Sequence, residues 1–309
     1  QSGYGGSTAF FAVYAARDGM QPSIDWTCDR REFFDARGHR VVPDHLAEQA
    51  GLGLDPCAAL SCPLDVQAGE SCDCVFLLGH GATSSEALAL ARDCLNEGAA
   101  PDAKRWETAA RAQWAQLLAP VQVQTPDPLF DALVNHWLLY QTVGCRMWAR
   151  AGFYQAGGAF GFRDQLQDAM ALAIARPQAL RQQLLLSASR QFEEGDVQHW
   201  WHPPTGAGVR THCSDDLLWL PEAVARYVQV TGDAAVLDES VTFLGGPAIP
   251  EGTHDVYFVP TVSSASASLY EHCARALDRS LKVGEHGLPL IGNGDWNDGM
   301  NLVGDQGRG

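Results

Sequence analysis

Three short stretches of this chain concentrate side chains that could do chemistry. "YQAGGAFGFRDQLQD" carries Arg163 and Asp164, "EGDVQHWWHPPTGAGVRTHCSDD" carries His199, Trp200, Trp201, His202, Arg210, Asp215 and Asp216, and "GLPLIGNGDWNDGMN" carries Asp295, Trp296 and Asp298. Indoles beside carboxylates and a guanidinium suit a sugar: the apolar faces of a pyranose lie on aromatic rings while its hydroxyls take hydrogen bonds from charged groups. Other chemistries fit worse. There is no His-x-x-x-His pair, no Gly-rich phosphate loop and no cysteine flanked by an obvious base. A calcium loop counted from Asp295 would need Gly at its sixth place and Glu at its twelfth, and those places hold Met300 and Gln306.

Each of these residues also has a plainer reading. Asn-Gly and Asp-Gly pairs form turns, so local composition leaves 292–301 either a loop stapled to the core or the floor of a pocket. Asp164, Asp215 and Asp216 stand where helices are expected to begin and could be N-caps; for Asp216 a cap and a sugar contact are equally open. In an extended stretch Trp200 and Trp201 point opposite ways, so one is expected to pack and the other to line a pocket. His199 and His202 could be structural imidazoles. Arg163 is the hardest to dismiss, because a guanidinium buried amid "GGAFGF" needs a carboxylate or a ligand, and Asp164 is adjacent.

The elements that must position these groups divide the chain into a β part and a helical part. Up to about residue 80, "STAFFAVYAA", "DRREFFDARG" and "GESCDCVFLLG" read as short strands between turn residues, the last strands of a β-sandwich. From Thr83 the period becomes helical, with "SSEALALARDCLNEG", Ser84 as its N-cap, and "DAKRWETAARAQWAQLL" reading as linker helices. Beyond "APVQVQTPDP", helices are expected over 129–148, 167–175, 179–192, 216–231, 234–243 and 266–283. Their sequential pairing suits an α/α toroid, and the three chemical stretches read as unusually long loops between them. The expected boundaries are 1–80 for the sandwich portion, 81–124 for the linker and 125–309 for the toroid.

Bulk composition narrows the partners. The chain has 309 residues, 46% of them hydrophobic, and a formal charge of -16. Such a balance disfavours nucleic acid or an anionic membrane surface, since no Lys/Arg cluster offsets the repulsion. No apolar run approaches the roughly 20 residues of a membrane span, and the first residues lack a basic leader. Nine scattered cysteines fit reduced thiols, and Cys57, Cys62, Cys72 and Cys74 lack the two-residue spacer of zinc ribbons. With no initiating Met and no closing element after "GDQGRG", the sequence reads as an internal piece of a longer chain.

The four motifs "YQAGGAFGFRDQLQD", "GDVQHWWHPPTGAGVRTHCSDDLLWLPEAV", "LYEHCARALDRSL" and "GLPLIGNGDWNDGMN" resemble glycoside hydrolase family 94, the inverting β-glucoside phosphorylases. Within it they are most similar to the phosphorylase-like domains of cyclic β-1,2-glucan synthases. The resemblance implies a mainly helical chain with an N-terminal β portion: the end of a β-sandwich, a helical linker and the first part of an (α/α)6 barrel. It implies that Asp298 is the general acid and that Trp296, Arg163 and Asp164 contact the sugar on the non-reducing side of the scissile bond; His199, Trp200 and Asp216 are read beside these as lesser candidates for neighbouring contacts. It further implies a β-glucan substrate and inorganic phosphate or glucose 1-phosphate as co-substrate, with neither metal nor organic cofactor. A larger membrane-associated synthase is the implied parent, with this domain on the cytoplasmic side.

The family chemistry explains why one acid could suffice. Inverting hydrolysis needs two carboxylates about 6.5–9.5 Å apart, one of them to activate water. Phosphate is already an anionic nucleophile. Two departures stand out: Gly157 occupies a place where some members carry a phosphate-contacting Arg, and the family's remaining phosphate contacts lie beyond residue 309, so this stretch alone could lack turnover. The rivals are an inverting hydrolase using Asp215 or Asp216 as its base, and a glucan-binding module without catalysis.

Overall fold

A computed structural model describes residues 6–15, 23–95, 102–149 and 158–297, and the chain divides into two compact units, 1–111 and 112–309. In the first unit β1 (Thr8–Ala15) pairs antiparallel with β4 (Cys74–Gly81), and β2 (Asp25–Asp29) with β3 (Pro56–Ser61). "DRREFFDARG" is not a strand. Asp29 accepts from the Arg31 amide and from its guanidinium, and that local bonding winds Arg30–Phe33 into a 3-10 turn. Helix α1 (Ser84–Leu95) is capped by Thr83 rather than Ser84, since Thr83 Oγ1 accepts from the Glu86 amide while Glu86 reaches back to the Ala82 amide. Helix α2 (Ala103–Leu118) begins at Asp102, which caps the Arg105 amide, and the division between the units falls within it.

The second unit is helical with small sheets. The stretch expected as one helix is continuous but changes winding, from α3 (Pro128–Ala132) through a π-type segment to α4 (Leu138–Gln141) and a second π-type segment, Thr142–Ala149. Strand β5 (Phe160–Gly161) leads into α5 (Phe162–Met170), followed by α6 (Pro177–Ala188), which starts on a proline that needs no amide partner there. The supposed long loop around the tryptophans is a hairpin of β6 (Gln198–His202) and β7 (Ala207–Thr211). Helix α7 (Trp219–Thr231) ends on left-handed Gly232.

Three expected helices were misplaced, the first because α5 ends at Met170 and residues 171–175, expected to be helical, form turns. Ala234–Asp238 is a single 3-10 turn, and Ser240–Gly245 is β8, in which Val241 and Phe243 are buried with Thr242 exposed between them, before Leu244 is buried as well. Residues Thr261–Ser268 form β10, antiparallel to β8, and only at Leu269 does α8 (Leu269–Ser280) begin, capped by Ser268 with Glu271 three residues on. Strand β9 (Asp255–Phe258) completes a four-stranded sheet of order β5, β6, β7, β9. A core of Phe162, Leu166, Leu180, Leu184, Trp201, Leu220, Tyr227 and Leu269 joins α5, α6, α7, α8 and the buried face of this sheet, which fixes the first turn of α5 and the segment before α7.

Candidate active site

Arg163 sits in the first turn of α5 with its side chain only 7% exposed. Its Nη1 donates to Asp215 Oδ1 at 3.2 Å and to the backbone carbonyl oxygen of Asp295 at 2.9 Å. The carboxylate the sequence pairs with it by adjacency is Asp164, but the ion pair runs to Asp215, 52 residues on, because successive helix residues point some 100° apart. Asp164 is exposed and caps nothing; it lies against Gly161, where a Cβ would collide with its carboxylate oxygen. Asp215 also accepts the indole N–H of Trp219 at 3.0 Å, so neither it nor Asp216 acts as a side-chain cap.

His199 owes its direction to a β-bulge. Register passes from Gln198 opposite Arg210 to Trp200 opposite Val209, leaving His199 as the extra residue. Its Nδ1 lies 2.6 Å from Oδ2 of Asp216, which is buried, while Asp216 Oδ1 has no hydrogen-bond partner among the described residues. Burial lifts the Asp216 carboxyl above its ordinary range, and His199 opposes that rise. His199, Cys213 and Asp216 bring possible metal-ligand atoms within 4.8 Å of one another. However, burial and the carboxylates of Asp216 and Asp215 push the Cys213 thiol up to about 11. His199 and Asp216 form a hydrogen-bonded pair beside this thiol.

The segment before Trp296 is strapped to the chain after β7. Cys213 and Gly292 form an antiparallel bridge, Ser214 donates its amide to the Gly294 carbonyl at 3.0 Å, and Asn293 donates through Nδ2 to the His254 carbonyl at 2.6 Å. Gly292 has φ +63, and a Cβ there would strike the His212 carbonyl oxygen, which is why glycine is needed at this crossing. The result is a cavity of about 590 Å³ lined by Asp215, Trp219, Glu222, Leu277, Asp295 and Trp296, among others. Trp296 is 61% exposed, an indole presented to the cavity and not packed into the core.

The structure therefore brings Arg163, Asp215, Asp295 and Trp296 together, with Asp216 next along the chain to Asp215 and His199 hydrogen-bonded to Asp216. Asp298 lies outside the described residues. Trp201 is 1% exposed and packs in the core. Trp200 faces the other way, as alternation requires, but it rests against His202 and Tyr257 rather than lining the cavity. Arg210 is structural, its fork closed on Asp196 at 2.7 Å and on Glu194. Sequence reasoning missed Trp219 and Glu222; both lie one turn apart at the start of α7, directly after "SDD", and that proximity was the available signal. Among the described residues no helix is long and apolar enough to cross a membrane.

Two family models match: the catalytic domain of the glycosyl hydrolase 94 superfamily over residues 113–309, and the glycosyl hydrolase 94 supersandwich domain over residues 1–97. The chain is 46% identical, over 99% of its length, to the cyclic beta-(1,2)-glucan synthase NdvB of Rhizobium meliloti (strain 1021), covering 11% of that protein. It is 30% identical, over 81% of its length, to the N,N'-diacetylchitobiose phosphorylase of Vibrio proteolyticus, covering 32% of it. To the 1,2-beta-oligoglucan phosphorylase of Listeria innocua serovar 6a it is 24% identical over 46% of its length, covering 13% of that enzyme. The chain spans a third or less of each of these relatives. Bearing both a supersandwich and a catalytic-domain match, it belongs to the glycosyl hydrolase 94 superfamily.

Proposed function

We propose that this chain is part of an inverting phosphorylase acting on β-1,2-linked glucan, the domain that adjusts chain length within a cyclic β-1,2-glucan synthase. The observation that carries the reading is that Arg163 ties together two distant stretches, at Asp215 and at Asp295, which line one cavity walled by two indoles and edged by the carboxylates of Asp215, Glu222 and Asp295. Its volume is in the range of small-molecule sites, and its lining suits a sugar ring better than a phosphate alone. Asp298, two residues past Trp296, is the general acid: it gives its proton to the departing glucosyl oxygen as phosphate attacks the anomeric carbon from the opposite face. Glucose 1-phosphate of inverted configuration leaves, and the reverse reaction lengthens the glucan.

Trp296 is the wall of the sugar subsite, Asp164 and Arg163 belong to the same constellation, and the His199–Asp216 pair braces the segment that carries Asp215. Trp200, which stands off the cavity, supports the hairpin. Inorganic phosphate is the co-substrate, and the chemistry calls for no resident metal or organic cofactor. The helices from residue 125 onward belong to an (α/α)6 barrel, and the parent is a larger membrane-associated synthase with this domain on its cytoplasmic side. As for the hydrolytic alternative, Asp215 is held by Arg163 and Trp219, and Asp216 is held by His199 through Oδ2.

The test uses the complete protein, its Asp298→Asn variant and β-1,2-glucan, with and without phosphate. Glucose 1-phosphate should form only with phosphate, and the variant should lose about 10²- to 10⁴-fold in rate. Sugar release unchanged by omitting phosphate would establish a hydrolase. Glucan binding without any turnover would establish a binding module.

A further inference from the structure

The helical unit holds a second cleft, which shares no lining residue with the cavity at Trp296. It begins where α5 ends. Two adjoining cavities of about 570 and 290 Å³ have Trp148, Arg176, Ala179 and Gln182 in common, and Leu172, two residues past α5, lines the smaller one. Arg163, which ties together the walls of the active-site cavity, stands in the first turn of α5. The nine residues of that helix rise about 13 Å, so the two sites lie toward its opposite ends.

The walls of the cleft follow from helical spacing. Gln113 and Gln116, three apart, share a face of α2, and Gln178 and Gln182, four apart, share a face of α6. With them stands Trp148, 54% exposed, its indole braced by Trp114 at 5.4 Å between ring centroids and still open to the cleft. Among the described residues the side chains of these four glutamines and of Arg176 make no hydrogen bond or ion pair. Neither cavity is lined by a carboxylate, in a chain whose formal charge is -16. An amide presents a donor and an acceptor side by side, as the hydroxyls of a sugar require, and an indole takes the apolar face of a pyranose. A cation would find no anionic partner here, and a phosphate only one guanidinium.

We propose that this cleft is a second glucan-binding site, holding a stretch of the neutral polymer away from the sugar being processed in the active-site cavity. The choice of glucan as the occupant rests on the proposed function; the fit of the cleft to a neutral polyhydroxylated ligand does not. Two sites that engage one sugar chain raise the apparent affinity for a polymer long enough to reach both, through effective concentration. An oligosaccharide too short to span them gains nothing.

The experiment uses the complete protein and two readouts: hydroxyl-radical labelling of Trp148, read by mass spectrometry, and steady-state phosphorolysis of long linear β-1,2-glucan and of the β-1,2-linked trisaccharide. Wild type is compared with Trp148→Ala and with a double variant, Gln116→Ala with Gln182→Ala, whose side chains are exposed and make no bond within the fold. Long glucan should shield Trp148 from labelling in the wild type, and the double variant should lose that shielding. In Trp148→Ala the KM for long glucan should rise about tenfold with kcat unchanged, and the double variant should show a smaller rise. Both constants for the trisaccharide should stay at their wild-type values. Absence of shielding in the wild type would overturn the proposal, as would equal rises in KM for polymer and trisaccharide. A Trp148 already unreactive in the free protein would show that protein covers the cleft, with the same consequence. If long glucan shields Trp148 but the wild type performs no phosphorolysis, the functional reading falls and the second site stands. If Trp148→Ala fails to fold, the double variant decides.

Discussion

Arg163 and Arg210 are both buried arginines paired with aspartates far along the chain, yet they serve different ends. Arg210, 3% exposed, closes its fork on Asp196, donates to Glu194 and to the Pro247 carbonyl, and lies with its carbon centre 3.9 Å from the Phe192 ring centroid. That network centres on the buried Asp196 carboxylate, with Glu194 reaching solvent, and joins β7 to the turn before β6. Arg163 holds a carboxylate, Asp215, that lines an open cavity, and a carbonyl at the edge of the same cavity. Burial and pairing are alike in the two. What separates a structural pair from a site pair is whether the partners face protein or face a space that a ligand could fill.

The largest effect expected from this contrast is on stability. Arg210→Ala leaves Asp196 charged and buried, and denaturant unfolding should show a loss of about 3–5 kcal/mol. Arg163→Met should lose much less, because Asp215 borders the cavity and water can reach it. Equal losses in the two would erase the distinction. Next in size, Trp296→Ala should weaken glucan binding about tenfold, measured by calorimetry, with the unfolding midpoint nearly unchanged, since an indole that is mostly exposed contributes little to the core. A large drop in stability would mean that Trp296 is a staple after all.

The smallest effect concerns Asp216. Because its folded-state carboxyl is raised above the ordinary 3.8, the folded protein binds more protons than the unfolded chain between those two values, so stability contributed by this group falls as pH rises through that window and then levels off. Asp216→Asn should remove that decline, seen as a flatter dependence of melting temperature on pH above about 4. An unchanged profile would show that His199 fully offsets the cost of burial.

How far these features could be foreseen differs from element to element. Helix α7 was legible because apolar spacing and the Gly after it agree, and α1, α2 and β4 were legible for similar local reasons. Strand β8 was not. "AAVLDESVTF" favours a helix locally, and only pairing with β10 and burial of alternate residues makes its second half extended. At the site, the residue types pointed to sugar chemistry, but the partner of Arg163 did not show. Adjacency suggested Asp164, whereas helix geometry turns that carboxylate outward and brings Asp215 in. Nothing local marked Trp219 as part of the same line of bonds.

The sequence by itself determined the chemical inventory: acids, indoles and an arginine in three glycine-bearing stretches, a β part followed by a helical part, and the family to which the motifs belong. Those are properties of residue type, spacing and period. Which carboxylate meets which guanidinium, which of two neighbouring tryptophans is buried, and that a bulge turns His199 toward Asp216 were decided by tertiary structure alone. Such pairings join residues 17 to 132 positions apart, and only the packing of α5, α7 and the sheet around one core brings them within hydrogen-bond reach.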